Sequence, residues 1–428
     1  MSDTPPAPPR FWREVRNHHP DYVHWFVADT LSALGAALTS VPMSMVTLYI
    51  TGSLAQAGVV GAVSSAGVML MAIPAGMIID SFDKKKLLFF YGLAGVLIWG
   101  VFSLLFVLDL FTFPLLLLFS AVSGLIMGTF GGLTNAILRF IVPERLLVPA
   151  QGRNQTRDSV VWMCGLPLGG LLYGLIPVLP FVVKMICGFG PLWASRVIRT
   201  PLRAERDPAV DSAPSPLQTF WSDLRYSLTW IFRYPALRWI FATEVASYFS
   251  NFFLISAVDL WLVYLGVAGW IIGATNAMFT LGMIAGGLLQ DRLIRWFPRG
   301  NIIRFCLAWE LAWYGLLVAF ASHWQFIAVA AFFIVIPSVA NNSFGGGFLA
   351  LSAPPEKIGK CAAGPRLLVG LLPVLASAAA GFMLAAWNFQ LSMILCVICS
   401  ILGLLAAANP IFSTMPTSDN FDTIEVCH

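Results

Sequence analysis

Long apolar runs alternate with short polar turns along this chain. Twelve runs stand out, at 23–50, 56–79, 87–108, 114–138, 159–177, 180–198, 238–264, 268–290, 302–321, 325–351, 361–386 and 388–408. Each is close to or longer than the roughly 20 apolar residues that carry a helix across a bilayer core. The pattern predicts an all-α polytopic membrane protein with twelve transmembrane helices. It is interrupted once, by the polar stretch 199–237. The first part, Pro201–Pro216, is rich in proline and charge and reads as a linker. In the second part, Leu217–Tyr234, residues Phe220, Trp221, Leu224, Leu228 and Ile231 recur at helical spacing. That is the mark of an amphipathic helix on the inner leaflet, ended by Pro235. The expected organisation is therefore a tail at 1–22, a six-helix bundle at 23–198, the linker at 199–237, a second bundle at 238–408 and a tail at 409–428. Ahead of the first run, Phe11, Trp12 and Val15 are expected at the headgroup level, with Arg13 and Arg16 on anionic lipid.

Composition fits this reading. Of 428 residues, 58% are hydrophobic and only 11% are charged, against about 25% charged in a soluble domain. The position of the charges then sets the topology. Every Lys and Arg except Lys184 lies in the amino tail or within 84–86, 139–157, 196–238, 292–304 and 357–366, whereas the alternate turns carry none. Basic loops stay in the cytoplasm, so both termini are expected there, with the chain in the cell membrane. The basic residues are scattered over these loops, which argues against a nucleic-acid partner. Seven cysteines form no framework: five fall in apolar runs, including Cys396 and Cys399, Cys361 borders one, and Cys427 is in the tail. Within an apolar helix such residues are read as packing, and neither a metal site nor a cofactor is expected.

The turn between the second and third runs concentrates charge. It reads Gly76-Met-Ile-Ile-Asp80-Ser-Phe-Asp-Lys84-Lys85-Lys86 and is expected to sit in water at the membrane face. The same Gly-x-x-x-Asp spacing returns at Gly287, Asp291 and Arg292, 211 residues later. Pro143-Glu144-Arg145-Leu146 is echoed as Pro355-Glu356-Lys357-Ile358, offset by 212. Two matches at nearly one offset indicate a duplicated half. Gly76, Asp80, Lys84 and Lys85 resemble the signature loop of the major facilitator superfamily. That resemblance covers nearly the whole chain and implies two six-helix bundles around a central cavity. Within the superfamily, the chain looks most like the bacterial macrolide-efflux and enterobactin-exporter group. The short stretches that carry this are His19-Pro20, Thr51-Gly52-Ser53, Val142-Pro143-Glu144-Arg145-Leu146, and Pro216-Leu217 with Tyr234-Pro235-Ala236-Leu237. One stretch departs from the family: antiporters often carry G-P-x-x-G-G in the fifth span, whereas Gly165-Leu166-Pro167-Leu168-Gly169-Gly170 displaces the proline by one.

Charges inside the runs are the candidates for chemistry, because lipid makes them costly. Asp29 and Glu244 each lie about two turns into the first span of their half and are near symmetry mates; both are proton-coupling candidates. An ionised carboxylate among apolar turns needs a cation from another span or carries its proton. Glu310, mid-depth in the ninth span, is a third candidate, or a partner of Arg304. Asp259 reads as a solvated outer end or an outer gate. Lys184 reads as snorkelling to the headgroups, with attraction of an anion as the alternative. Asp80, Arg139 and Arg157, with Asp158 beside it, are expected to form an inner-face cluster that locks the outward-open state. Asn135, Asn251, Phe252, Asn276, Asn341 and Trp309 are candidates for the substrate cavity, whose aromatic surface would suit an amphipathic small molecule.

These readings converge on a monomeric secondary transporter exporting amphipathic small molecules against protons, not an enzyme. The rivals are a dedicated siderophore or lysophospholipid carrier, and a membrane scaffold or sensor that kept the fold without transport. The topology is directly testable. Cysteines placed at Ser2 and Thr112 are expected to label from opposite faces of the membrane; labelling of both from one face would overturn it.

Overall fold

The computed structural model describes residues 11–202, 216–321 and 323–415, and every regular element among them is helical. Most of the predicted linker (203–215), the tail beyond 415 with Cys427, and the first ten residues lie outside the described residues. The helices are α1 (Phe11–His18), α2 (Pro20–Thr51), α3 (Leu54–Ser81), α4 (Lys84–Val107), α5 (Phe113–Phe130), α6 (Leu133–Ile141), α7 (Glu144–Leu175), α8 (Leu179–Cys187), α9 (Phe189–Val197) and α10 (Pro216–Arg233). The second half holds α11 (Pro235–Tyr264), α12 (Gly269–Trp296), α13 (Asn301–Phe320), α14 (Trp324–Ser352), α15 (Ile358–Cys361), α16 (Ala363–Ala386), α17 (Phe389–Ser392), α18 (Ile394–Ala407) and α19 (Ile411–Thr414). Among the described residues, eleven stretches are long and apolar enough to cross a membrane. The pair α8 and α9, broken at Gly188, makes the twelfth crossing.

Local chemistry sets the ends of these helices. Gly52 closes α2 in the left-handed region (φ 60°), where glycine carries no Cβ penalty. Ser53 then caps α3, its Oγ accepting from the Gln56 amide at 3.4 Å, and Asp83 caps α4 by accepting from the Lys85 amide at 2.8 Å. Pro20 and Pro235 each occupy the first turn of their helices, where no amide partner is lost. The stretch expected as a basic loop before span five is instead the first half of α7, which runs unbroken for 32 residues through Pro149 and Pro167.

Two peripheral helices pack differently from the sequence expectation. In α1, Phe11 and Val15 are buried against Tyr22 and Trp25 of α2 rather than presented to lipid. Arg153 stands 3.8 Å from the Phe11 ring centroid, and Glu14 pairs with Arg145 at 2.5 Å. In α10, the buried side is Leu224, Ser227, Trp230 and Ile231. Ser227 Oγ donates to the Cys361 carbonyl at 2.5 Å and accepts from the Gly364 amide at 3.0 Å. The amphipathic helix is thus seated on α15 and α16 of the second half.

The two halves meet along α3 against α16 and α7 against α12. Glycine makes these approaches possible. A Cβ on Gly58 would come within 2.6 Å of Gly381 Cα. One on Gly170 would clash with the Gly269 carbonyl, and one on Gly273 with Leu166 and Pro167. These positions all lie near the helix ends opposite the basic turns. At the basic ends, the signature glycines Gly76 and Gly287 have nothing within 4 Å of a Cβ position. The displaced proline therefore leaves the glycine contacts of α7 in place: Gly165 faces Ala37, and Gly169 faces the Leu38 backbone.

The contact at Gly170 has a measurable consequence. Gly170→Ala is expected to lower the thermal stability of the purified protein by about 1–3 kcal/mol, since the Gly269 backbone must shift. Gly174→Ala, with open space at the Cβ, is the control and should be neutral or slightly stabilising. Equal melting temperatures for the two variants would refute the close approach.

Candidate functional site

A cavity of about 470 Å³ lies among α2, α3, α4, α5 and α8, and Ser256, Asp259 and Leu260 of α11 with Ser377 of α16 complete its wall. The volume is within the ~300–1,000 Å³ typical of ligand pockets. The lining mixes hydroxyls such as Ser40, Ser64 and Ser123 with the aromatic faces of Trp99 and Phe119. Ser256 and Ser377 hydrogen-bond at 3.1 Å, beside the Gly58–Gly381 contact. Two side chains of charged type line the cavity as well, Lys184 from the first half and Asp259 from the second. Neither takes the first of the two places the sequence suggested, the snorkelling cation or the solvated end. Lys184 does not snorkel: its Nζ donates to Thr39 Oγ1 at 3.1 Å and stands 4.1 Å from the centroid of the Trp99 ring. Asp259 is no solvated end: it accepts a hydrogen bond from Asn276, whose amide also donates to the Ile272 carbonyl at 3.1 Å.

Asp29 is neutralised. Arg157 of α7 pairs with its carboxylate, and Thr134 Oγ1 donates to Oδ1 at 3.0 Å. The same guanidinium reaches Asp158 at 2.9 Å, Thr30 Oγ1 at 3.2 Å and the Phe26 carbonyl at 3.3 Å. The cation that the sequence required from another span is therefore present, and the geometry removes Asp29 as a free proton carrier. Neither Asp80 nor Arg139 takes part in an ion pair among the described residues, and both are exposed. The expected inner-face cluster reduces here to Arg157 with Asp29 and Asp158.

Glu310 is fully buried, and Ser247, Ser338 and Asn251 donate to its Oε1 at 2.7, 3.1 and 3.3 Å. It ties α11, α13 and α14 together. Arg304 is not its partner, because that guanidinium caps α18, donating to the Ala407 and Asn409 carbonyls at 2.7 and 3.1 Å. Glu244 is different from all of these. It is half-buried, its carboxylate lies against Gly345 of α14, and no hydrogen bond or ion pair reaches it among the described residues.

In the signature loops, Asp80, Asp291 and Arg292 are exposed and Lys85 is half-buried. Lys84 departs from the expectation of a wetted turn. It is 3% exposed, with its ammonium 4.9 Å from the Phe140 ring centroid. The six residues expected at the substrate cavity do not line it. Asn135 is exposed. Asn251 serves Glu310 and the Ser247 carbonyl. Phe252 stacks on Tyr248. Asn276 holds Asp259, Asn341 is buried in α14, and Trp309 donates to the Phe333 carbonyl at 2.8 Å. Sequence reasoning missed Lys184 and Asp259 as cavity groups; the signal available was that both stand in apolar runs without a neighbouring opposite charge.

A match to the Major Facilitator Superfamily spans residues 25–309. No curated protein matches the chain by sequence. Solved structures share its fold. The nucleoside transporter NupG superposes with a TM-score of 0.66 at 12% identity, covering 92% of this chain and 98% of that one. A bacterial homolog of the human lysosomal transporter Spinster, inward-facing and unoccupied, gives 0.65 at 16% identity over 92% and 97%. A bacterial homologue of the iron transporter ferroportin, also inward-facing, gives 0.65 at 15% over 91% and 98%.

The Arg157 network makes a stability prediction. Arg157→Gln strands the half-buried Asp29 carboxylate, so a loss of about 2–3 kcal/mol is expected, below the full cost of breaking a fully buried pair. Asp29→Asn, which leaves Arg157 with Asp158 and the Phe26 carbonyl, should cost less. The order of the two melting temperatures checks this, and the reverse order would mean that Asp29 is not the group Arg157 serves.

Proposed function

The chain belongs to the major facilitator superfamily, a multi-pass membrane protein of the transporter class, and within that class we propose a secondary active transporter driven by protons. The reading is of alternating access around the cavity between the halves. The glycine contacts hold one face shut, and the signature loops lie at the other. The observation that carries the proton assignment is Glu244, the one acid among Asp29, Glu310 and itself that has neither cation nor hydrogen bond among the described residues. A carboxylate so placed is stable when it carries a proton, and becomes ionised only when water reaches it. Movement of α11 against α14 would alternate these settings and so load and release one proton per cycle. The substrate is a small amphipathic molecule held among hydroxyls and aromatic faces. Export is favoured by the stretches resembling drug and siderophore exporters, and the distribution of Lys and Arg favours the cell membrane with cytoplasmic termini.

The test needs no substrate. Spin labels at Val148→Cys on α7 and Leu288→Cys on α12, both exposed, report the separation of the halves at the basic face in a background without the seven native cysteines. The distance distribution is expected to shift between mildly acidic and mildly alkaline buffer. Glu244→Gln, which mimics the protonated acid, should hold the acidic distribution at both. A wild-type distribution indifferent to pH, or a variant that still responds, would overturn the assignment.

A further inference from the structure

Lys184 and Asp259 are opposite charges on the wall of one cavity, contributed by opposite halves of the molecule. They do not pair with each other, and no other ion pair reaches either among the described residues. Each is only partly compensated. The ammonium has one hydroxyl and the π face of Trp99, and the carboxylate has the Asn276 amide. Thr39 and Trp99 favour a cation and Asn276 favours an anion, so each site suits its charged form once an opposite charge reaches it. A charge held in an apolar interior without a counter-ion is costly. Elsewhere in this chain that cost is met from within, as with Asp29 and Arg157. Here two opposite charges line one space and neither has an ion-pair partner among the described residues.

We propose that the ligand of this cavity is a zwitterion with an apolar body. Its anionic end is received by Lys184 and its cationic end by Asp259, with Trp99 and Phe119 against the body between them. This rests on the reading of the cavity as the transport site and specifies its substrate class. It also gives the ligand a mechanical role. A molecule carrying only one charge satisfies one half of the protein. A zwitterion engages both halves at once, so its differential interaction with the closed arrangement can shift the equilibrium between states.

The experiment uses three probes with one eight-carbon body: ω-aminooctanoic acid, octylamine and octanoic acid. Binding to the purified full-length protein in a non-ionic detergent is measured by calorimetry near neutral pH. The zwitterion is expected to bind at least about tenfold more tightly than either single-charge probe, which corresponds to roughly 1.4 kcal/mol. Lys184→Met should erase its advantage over octylamine, and Asp259→Asn its advantage over octanoic acid. Lys184→Arg, which keeps the charge, should retain the preference and shows that the loss in Lys184→Met is not misfolding. The proposal is overturned if wild type shows no preference for the zwitterion, or if the preference survives both substitutions. It is also overturned if each single variant loses the pH-driven opening and the double variant regains it, because the two residues would then be partners in a gate. The spin-label shift of the wild type keeps the two readings apart: if it persists while the preference is absent, only the zwitterion assignment falls.

Discussion

A charge inside the apolar slab must be paired, hydrogen-bonded, protonated or met by a ligand, and the interior of this protein sorts its ionisable groups among these fates. Asp29 is paired, through an arginine that also gathers Asp158 and a backbone carbonyl. Glu310 is hydrogen-bonded, its three donors drawn from two neighbouring helices. Both arrangements join helices, since an uncompensated carboxylate would cost several kcal/mol whereas one that accepts from its neighbours holds them in register, with Oε2 of Glu310 left buried and unpartnered among the described residues. What remains after this sorting is the small set of Lys184, Asp259 and Glu244. Those three carry the functional reading because the fold has not spent them on itself.

The second constraint is steric. Lipid supplies no hydrophobic drive to bring two bundles together, so contact between the halves depends on close packing of backbone. Gly58 with Gly381 and Gly170 with Gly269 give two such contacts. Both lie toward the ends away from the basic turns. At the basic ends Gly76 and Gly287 stand open, and Asp80 and Arg139 remain exposed and without ion pairs among the described residues. An inner-face lock is not expected to be formed when the opposite face is shut, so the absence of the predicted cluster and the presence of the glycine contacts describe one arrangement.

Much of the fold was legible because hydropathy and the 211-residue repeat are properties of the chain alone. Span positions follow from runs of apolar residues, and the six-plus-six division from the polar stretch before Pro235. The site was less legible, for reasons that differ by residue. Asp29 and Arg157 are 128 residues apart, and nothing local in either segment names the other. Lys184 lies near a span end, where snorkelling is the ordinary outcome; the break at Gly188 and the packing of Gly35 on its stem hold it inward instead. The asparagines were overrated for a local reason. Asn251 and Asn276 each donate to the carbonyl four residues earlier in their own helix, a back-bond open to short polar side chains that consumes the groups a ligand would need.

Coupling between proton and ligand then depends on α11. Glu244 and Asp259 sit on this one helix, and no proline interrupts it after its first residue. At 1.5 Å per residue the two positions are separated by roughly 22 Å along its axis. They cannot influence each other by direct Coulomb contact across that length in any simple way, because the interaction falls with distance and wetted regions screen it. A continuous helix, however, moves as one piece. Glu244 leans on Gly345 of α14, where no side chain stands between the carboxylate and the neighbouring backbone, and Asp259 reaches the cavity near the contact of Ser256 with Ser377. A tilt of α11 that uncovers Glu244 at the basic end must shift Asp259 relative to Lys184 at the other. The proton and the ligand would thus bias the same rigid element from its two ends, which is the physical requirement for exchanging one against the other.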